Sequence, residues 1–155
     1  MDLRQLFDDL VRFETDLWNG IDARLRQDCG VTLGSLNVLL VVERADSCRV
    51  NDIAAALSIT VGGASQAVDR LEKQGHCARR PHRTDRRSSI VELTAAGREL
   101  VNEAGPVFDR ELATWLARPL PDTALGHLAS ALARLRAANP HAPDPGPTPL
   151  TKETR

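Results

Sequence analysis

The chain has 155 residues, 42% of them hydrophobic and 26% charged, with a net charge of −1, which bounds it as an ordinary soluble chain with one core and one domain. Aromatic residues make up only 3% and tyrosine is absent, so the core must be Leu, Val, Ile and Ala, which favours helices. The charge layout is uneven: residues 60–90 hold seven Arg or Lys against three Asp or Glu, whereas residues 1–30 hold four Arg against seven acids, so one part is suited to meet an anion. Three cysteines at wide spacing argue against a disulfide framework and fit a reduced compartment. Asp2, Asp8 and Asp9 stand where a cleaved leader needs basic and then apolar residues, and the longest apolar run, Val38 to Val42, is too short for a bilayer. The expectation is a cytoplasmic protein with no membrane partner.

Residues 2–28 repeat apolar side chains at Leu3, Leu6, Phe7, Leu10, Phe13, Leu17, Ile21 and Leu25, predicting an amphipathic helix roughly 40 Å long. Its stripe is covered either by its own domain or by another copy of the chain. After Gly30, Thr32 caps a second helix reaching about Glu43, with Leu33, Leu36, Leu39, Leu40 and Val42 on a mostly buried surface. A short third helix spans about Val50 to Leu57, with Asn51 and Asp52 at the positive end of its dipole. Ser58 and Ile59 link it to Thr60, the cap of a fourth helix over 60–74.

In that fourth helix Val61, Ala64, Val68 and Leu71 are expected to be buried, leaving Gly62, Gly63, Ser65, Gln66, Asp69, Arg70 and Lys73 outside or near the edge. Two short helices joined by a brief turn, the second with small and hydrogen-bonding residues near its start, form the helix-turn-helix pattern. The paired glycines allow either close backbone approach to phosphates and base edges or simply a relaxed helix start.

Gly75 closes the helix, and residues 76–80 and 88–93 can pair as strands across Arg79-Arg80-Pro81-His82-Arg83-Thr84-Asp85-Arg86-Arg87, five arginines around one carboxylate. A guanidinium is always charged and its planar fork suits phosphate oxygens, so the cluster makes sense mainly as a polyanion contact. Thr94 caps a fifth helix over 95–117, with a kink or break expected at Gly105-Pro106. A sixth spans 122–137, where Leu125, Leu128, Leu132 and Leu135 form a seam suited to another helix. From Asn139 onward five prolines in the last stretch predict a disordered or polyproline-like tail, 139–155.

Val68-Asp69-Arg70-Leu71-Glu72, Gly75, Arg80-Pro81, Asp85-Arg86-Arg87 and Leu93-Thr94-Ala95-Ala96-Gly97 resemble, in order and spacing, the MarR (multiple-antibiotic-resistance regulator) family of bacterial transcription factors. The resemblance covers roughly residues 3–137. It implies a mainly α winged helix-turn-helix with a two-stranded β-wing (32–94) and long N- and C-terminal dimerisation helices (1–31 and 95–138). It implies a homodimer on a pseudo-palindromic double-stranded DNA operator, acting as a repressor. Asp85 then corresponds to the wing carboxylate that orients the tip arginine, Arg87 to the arginine entering the minor groove, and Arg83 and Arg86 to phosphate contacts. Ser65 and Gln66 fall where the recognition helix meets base edges. Gln66 stands where the family often carries arginine, and glutamine suits adenine, whereas arginine suits guanine.

The resemblance also implies release by a small aromatic or anionic effector, with Trp18, Asp22, Asn37 and Trp115 as candidate pocket residues, although a Trp on a helical stripe is more often core. Two alternatives stand beside it. One is a cysteine-based redox sensor of the same fold, which requires an accessible thiol of lowered pKa among Cys29, Cys48 and Cys77. The other is a protein-interaction module that does not bind DNA. His76, His82, His127 and His141 are widely spread, and no phosphate loop or nucleophile elbow is present, so the chain reads as no enzyme, with no metal site and no cofactor.

Overall fold

The computed structural model describes residues 1–85 and 88–138, so the expected polyproline-like tail lies outside the described residues. Six helices and two strands follow in the order α1 (Leu3–Cys29), α2 (Leu33–Arg44), α3 (Val50–Leu57), α4 (Val61–Lys73), β1 (Cys77–Pro81), β2 (Ser89–Leu93), α5 (Ala95–Leu112) and, after a wide π-helical turn at Ala113–Ala117, α6 (Asp122–Ala137). This is the expected mainly α winged helix-turn-helix.

The helix starts follow from side-chain capping. Thr32, Thr60 and Thr94 each turn a hydroxyl oxygen to a backbone N–H of the first turn, from Ser35, Gly63 and Gly97 respectively, each at 3.0 Å. α2 gains a second cap from another helix: Asp22 on α1 accepts the Leu33 N–H at 2.8 Å and holds Arg26 at 2.6 Å. Burial pushes the Asp22 carboxyl up, but the Leu33 N–H and the Arg26 guanidinium outweigh it and hold it below the ordinary carboxylate range.

α2 lies at the centre, burying Leu33, Leu36, Val38, Leu39 and Val42 against Ile21 and Leu25 of α1, Ile53 of α3, Val68 and Leu71 of α4, and Val101 and Ala104 of α5. α3 ends on Ser58 in the left-handed region (φ 53°), where the Ile59 N–H returns to the Ala54 carbonyl, so the chain reverses into α4 within three residues. In the wing β1 and β2 are antiparallel, with Cys77 opposite Leu93 and Pro81 opposite Ser89. The loop after α2 joins this sheet, because the Val91 N–H donates to the Cys48 carbonyl at 2.7 Å. That bridge carries Cys48 into the core.

Pro106 does not break α5, which runs unbroken from Ala95 to Leu112; the irregularity falls at 113–117 instead. Asn102, whose carbonyl loses its usual donor to the proline ring, lies on the exposed side, where water can serve it. α6 packs mainly on the wide turn. Its Leu128, Leu132 and Leu135 are exposed, as are Leu3, Leu6, Phe7, Leu10 and Val11 in the first half of α1.

One contact fixes where α5 leaves the wing. The Thr94 N–H donates to the His76 carbonyl, the Thr94 hydroxyl donates to the Gly75 carbonyl at 2.6 Å, and Gly97 lies so close that a Cβ there would overlap the His76 carbonyl oxygen. Gly97→Ala is therefore expected to cost about 1–3 kcal/mol through overpacking against backbone. Gly126→Ala in α6, with open space around the site, is expected to be neutral or to add up to about 1 kcal/mol. Thermal unfolding of the two variants checks this, and equal melting temperatures would contradict the close approach.

Candidate nucleic-acid interface

The first turn of α4 projects past the edge of the core. Val61, expected to be buried, is 52% exposed, and Ile59 beside it is 44% exposed, while Ala64, Val68 and Leu71 hold the buried face. A Cβ on Gly62 would meet open space, whereas one on Gly63 would sit 3.1 Å from the Thr60 hydroxyl oxygen. Gly63 thus makes room for the cap, and Gly62 leaves bare backbone at the surface. Ser65 is half-buried; Gln66, Arg70 and Lys73 are exposed and, with Gly62, recur at helical spacing along one face.

Arg79, expected among the DNA contacts, is engaged inside the protein. From β1 its guanidinium reaches Asp69 at 2.6 Å and Glu72 at 2.7 Å, both on α4, and lies 3.4 Å from the Ser65 hydroxyl and carbonyl oxygens. The Arg79 backbone N–H also donates to Glu72 at 3.0 Å. Those contacts from Arg79 hold the Glu72 carboxyl below its ordinary range. The sequence reading missed this clamp, although Asp69 and Glu72, three residues apart, had to share a helix face. Arg80 likewise pairs with Glu92 across the strands at 2.7 Å.

The turn between the strands is closed by backbone bonds from His82 N–H to the Ser88 carbonyl and from Ser88 N–H to the Asp85 carbonyl. The His82 ring accepts the Thr84 N–H at 3.3 Å. Arg83 stands exposed near the tip and Asp85 is half-buried. Arg86 and Arg87 lie outside the described residues.

The candidate effector residues have different surroundings within the single chain. Asp22 is occupied with the Leu33 N–H and Arg26. Trp115 packs edge-on to Phe13, with ring centres 6.4 Å apart, and covers Gly20 so closely that a Cβ there would strike its ring. Trp18 lines a shallow cavity of about 320 Å³ with Glu14, Thr15 and Asn19, and Asn37 is half-buried on α2. Burial pushes all three thiols up, Cys77 to about 11, where a sensor needs a lowered pKa.

Residues 30–88 match the family model described as the MarR family. The HTH-type transcriptional regulator BilQ of Clostridium symbiosum is 30% identical over 79 residues, 51% of this chain and 55% of that protein. The uncharacterized HTH-type transcriptional regulator YfiV of Bacillus subtilis is 29% identical over 70 residues, 45% of this chain and 44% of that one. The matched stretch thus spans about half the length of each curated relative. Among solved structures, Sco3205 of Streptomyces coelicolor, a MarR family regulator in complex with DNA, superposes with a TM-score of 0.81 at 21% identity, covering 86% of this chain and 88% of that one. CouR of Rhodococcus jostii RHA1, bound to p-coumaroyl-CoA, superposes with a TM-score of 0.74 at 23% identity, covering 84% and 90%. Residues 30–88 are accordingly similar to the MarR family, in a chain that shares the fold of these solved structures.

Proposed function

We propose that the chain is a dimeric, sequence-specific DNA-binding transcriptional regulator that represses from a pseudo-palindromic operator and is released by a small aromatic or anionic molecule. The observation that carries this reading is the exposed α4 face bearing Gly62, Gln66, Arg70 and Lys73, tied by Arg79 to a wing whose turn is rich in arginine. Such a face and turn together suit a duplex: the helix enters the major groove while the guanidinium groups engage the adjacent backbone and minor groove. The DNA complex of Sco3205 and the p-coumaroyl-CoA complex of CouR, built on the same fold, support the DNA and effector parts.

Residues 32–94 are the DNA-binding region, and 1–31 with 95–138 the dimerisation region. Leu3, Leu6, Phe7, Leu10 and Val11 on α1 and Leu128, Leu132 and Leu135 on α6 leave a run of large apolar side chains exposed at the two ends of the chain. So many large apolar side chains on two helices are rarely left to water, and a second copy supplies a self-complementary cover. The two recognition helices then stand about one DNA turn, roughly 34 Å, apart.

Selection of duplexes from the organism's own fragmented DNA is expected to yield an inverted repeat, and Leu10→Glu is expected to give a folded monomer that binds it at least about 100-fold more weakly. Light scattering and circular dichroism read the first two properties and a binding titration the third; a monomeric wild type would contradict the proposal. Within the α4 face, Gln66→Ala is expected to cost about 1–3 kcal/mol at one base position of each half-site. Arg70→Ala is expected to weaken binding to all sequences and flatten the dependence of log K on log salt by roughly one unit per neutralised phosphate. Titrations over a panel of single-base variants and salt concentrations separate the two; an Arg70→Ala slope equal to wild type removes that residue from the phosphate contacts.

A further inference from the structure

Resting on that DNA-binding reading, we propose that Val61 is a specificity-determining residue which, with Ile59, reads thymine methyl groups in the major groove. Isolated apolar side chains at a surface are ordinary. Here two β-branched residues are exposed within one tight turn, at the end of the helix whose first residues approach base edges in this fold class. Thr60 has committed its hydroxyl oxygen to the Gly63 N–H at 3.0 Å. Gly62 next to Val61 has open space where a side chain would stand, so the groove floor can come close to the helix at this point.

The same stretch lacks the groups that would read guanine. No Arg or Lys lies between Ser58 and Asp69, and the first cation of α4 is Arg70, in its third turn. The major-groove feature that an aliphatic side chain recognises is the C5-methyl of thymine, which no other standard DNA base carries. Val61 and Gln66 are five residues apart, about 7.5 Å along the helix axis at 1.5 Å per residue. At 3.6 residues per turn they also lie about 140° apart around that axis, so Val61 and Gln66 meet different base pairs.

The test uses an inverted-repeat duplex that the full-length protein selects from a random-sequence pool, with deoxyuridine replacing thymidine one position at a time to delete the methyl alone. Wild type is expected to lose about fourfold in affinity at one thymine of each half-site, the value of one buried methyl group. Val61→Ala is expected to bind the unmodified duplex more weakly by a similar factor and to be indifferent to deoxyuridine at that position. Its unchanged thermal unfolding shows that the variant is folded, and Val61→Ile, which keeps the apolar contact, is expected to retain the sensitivity. A duplex in which every thymidine can be replaced with less than a twofold effect, or a Val61→Ala protein as sensitive as wild type, overturns the methyl contact and leaves DNA binding standing. Failure to select any duplex at low salt overturns the DNA-binding reading, and this inference with it.

Discussion

The geometry of the candidate interface depends on one guanidinium. Arg79 leaves β1 and holds Asp69 and Glu72 on α4, so the strand that leads to the arginine-rich turn is tied to the helix that carries Gln66 and Arg70. Exposed ion pairs add little stability singly. Here only the Arg79 side chain is well covered, at 25% exposed against 51% for Asp69 and 39% for Glu72, and its backbone N–H adds a hydrogen bond to Glu72. Its consequence is angular more than energetic. A helix and a hairpin joined only by the Gly75 turn could swing against one another; the fork of Arg79, bonded at two helical positions, removes that freedom.

On the other side of the wing the packing is backbone against backbone. Thr94 bonds both Gly75 and His76, and Gly97 lets α5 close on the His76 carbonyl. The Cys48 carbonyl meets Val91 in the middle of β2. The wing is thereby held from α4, from α5 and from the loop after α2. These attachments also recast the charge pattern. Two of the clustered arginines, Arg79 and Arg80, are partnered by carboxylates, and in the proposed DNA-binding mode direct contact with a polyanion then falls to Arg70, Lys73 and Arg83 among the described residues. The net positive balance of the segment is unchanged by such pairing, and its long-range attraction for a duplex persists.

Local signals were legible in the sequence, and long-range ones were not. Thr32, Thr60 and Thr94 announced three helix starts because capping is a property of four adjacent residues, and Gly75 announced a stop for the same reason. The exposure of Gln66, Arg70 and Lys73 followed from helical period alone. By contrast, Asp22 capping Leu33, Cys48 bridging Val91 and Arg79 clamping Asp69 join residues ten or more positions apart, or in different elements, and no periodicity encodes such meetings. Val61 kept the apolar period of α4 yet lies outside, because period describes a face and not how far along the helix the core extends. Pro106 misled in the opposite direction: its missing donor costs little where the freed carbonyl meets water.

In the proposed function the Arg79 clamp orients α4 and the wing for simultaneous contact with a duplex. Simple electrostatics and this claim make opposite forecasts for the double variant Asp69→Asn, Glu72→Gln, which leaves the side-chain shapes and makes the interface two charges more positive. Its affinity for the selected duplex, measured at fixed salt, is expected to fall about tenfold, in keeping with the loss of charge-assisted hydrogen bonds of about 1.5–3 kcal/mol each. Tighter binding than wild type would contradict the account, because it would show that the two carboxylates only repel the phosphates and position nothing.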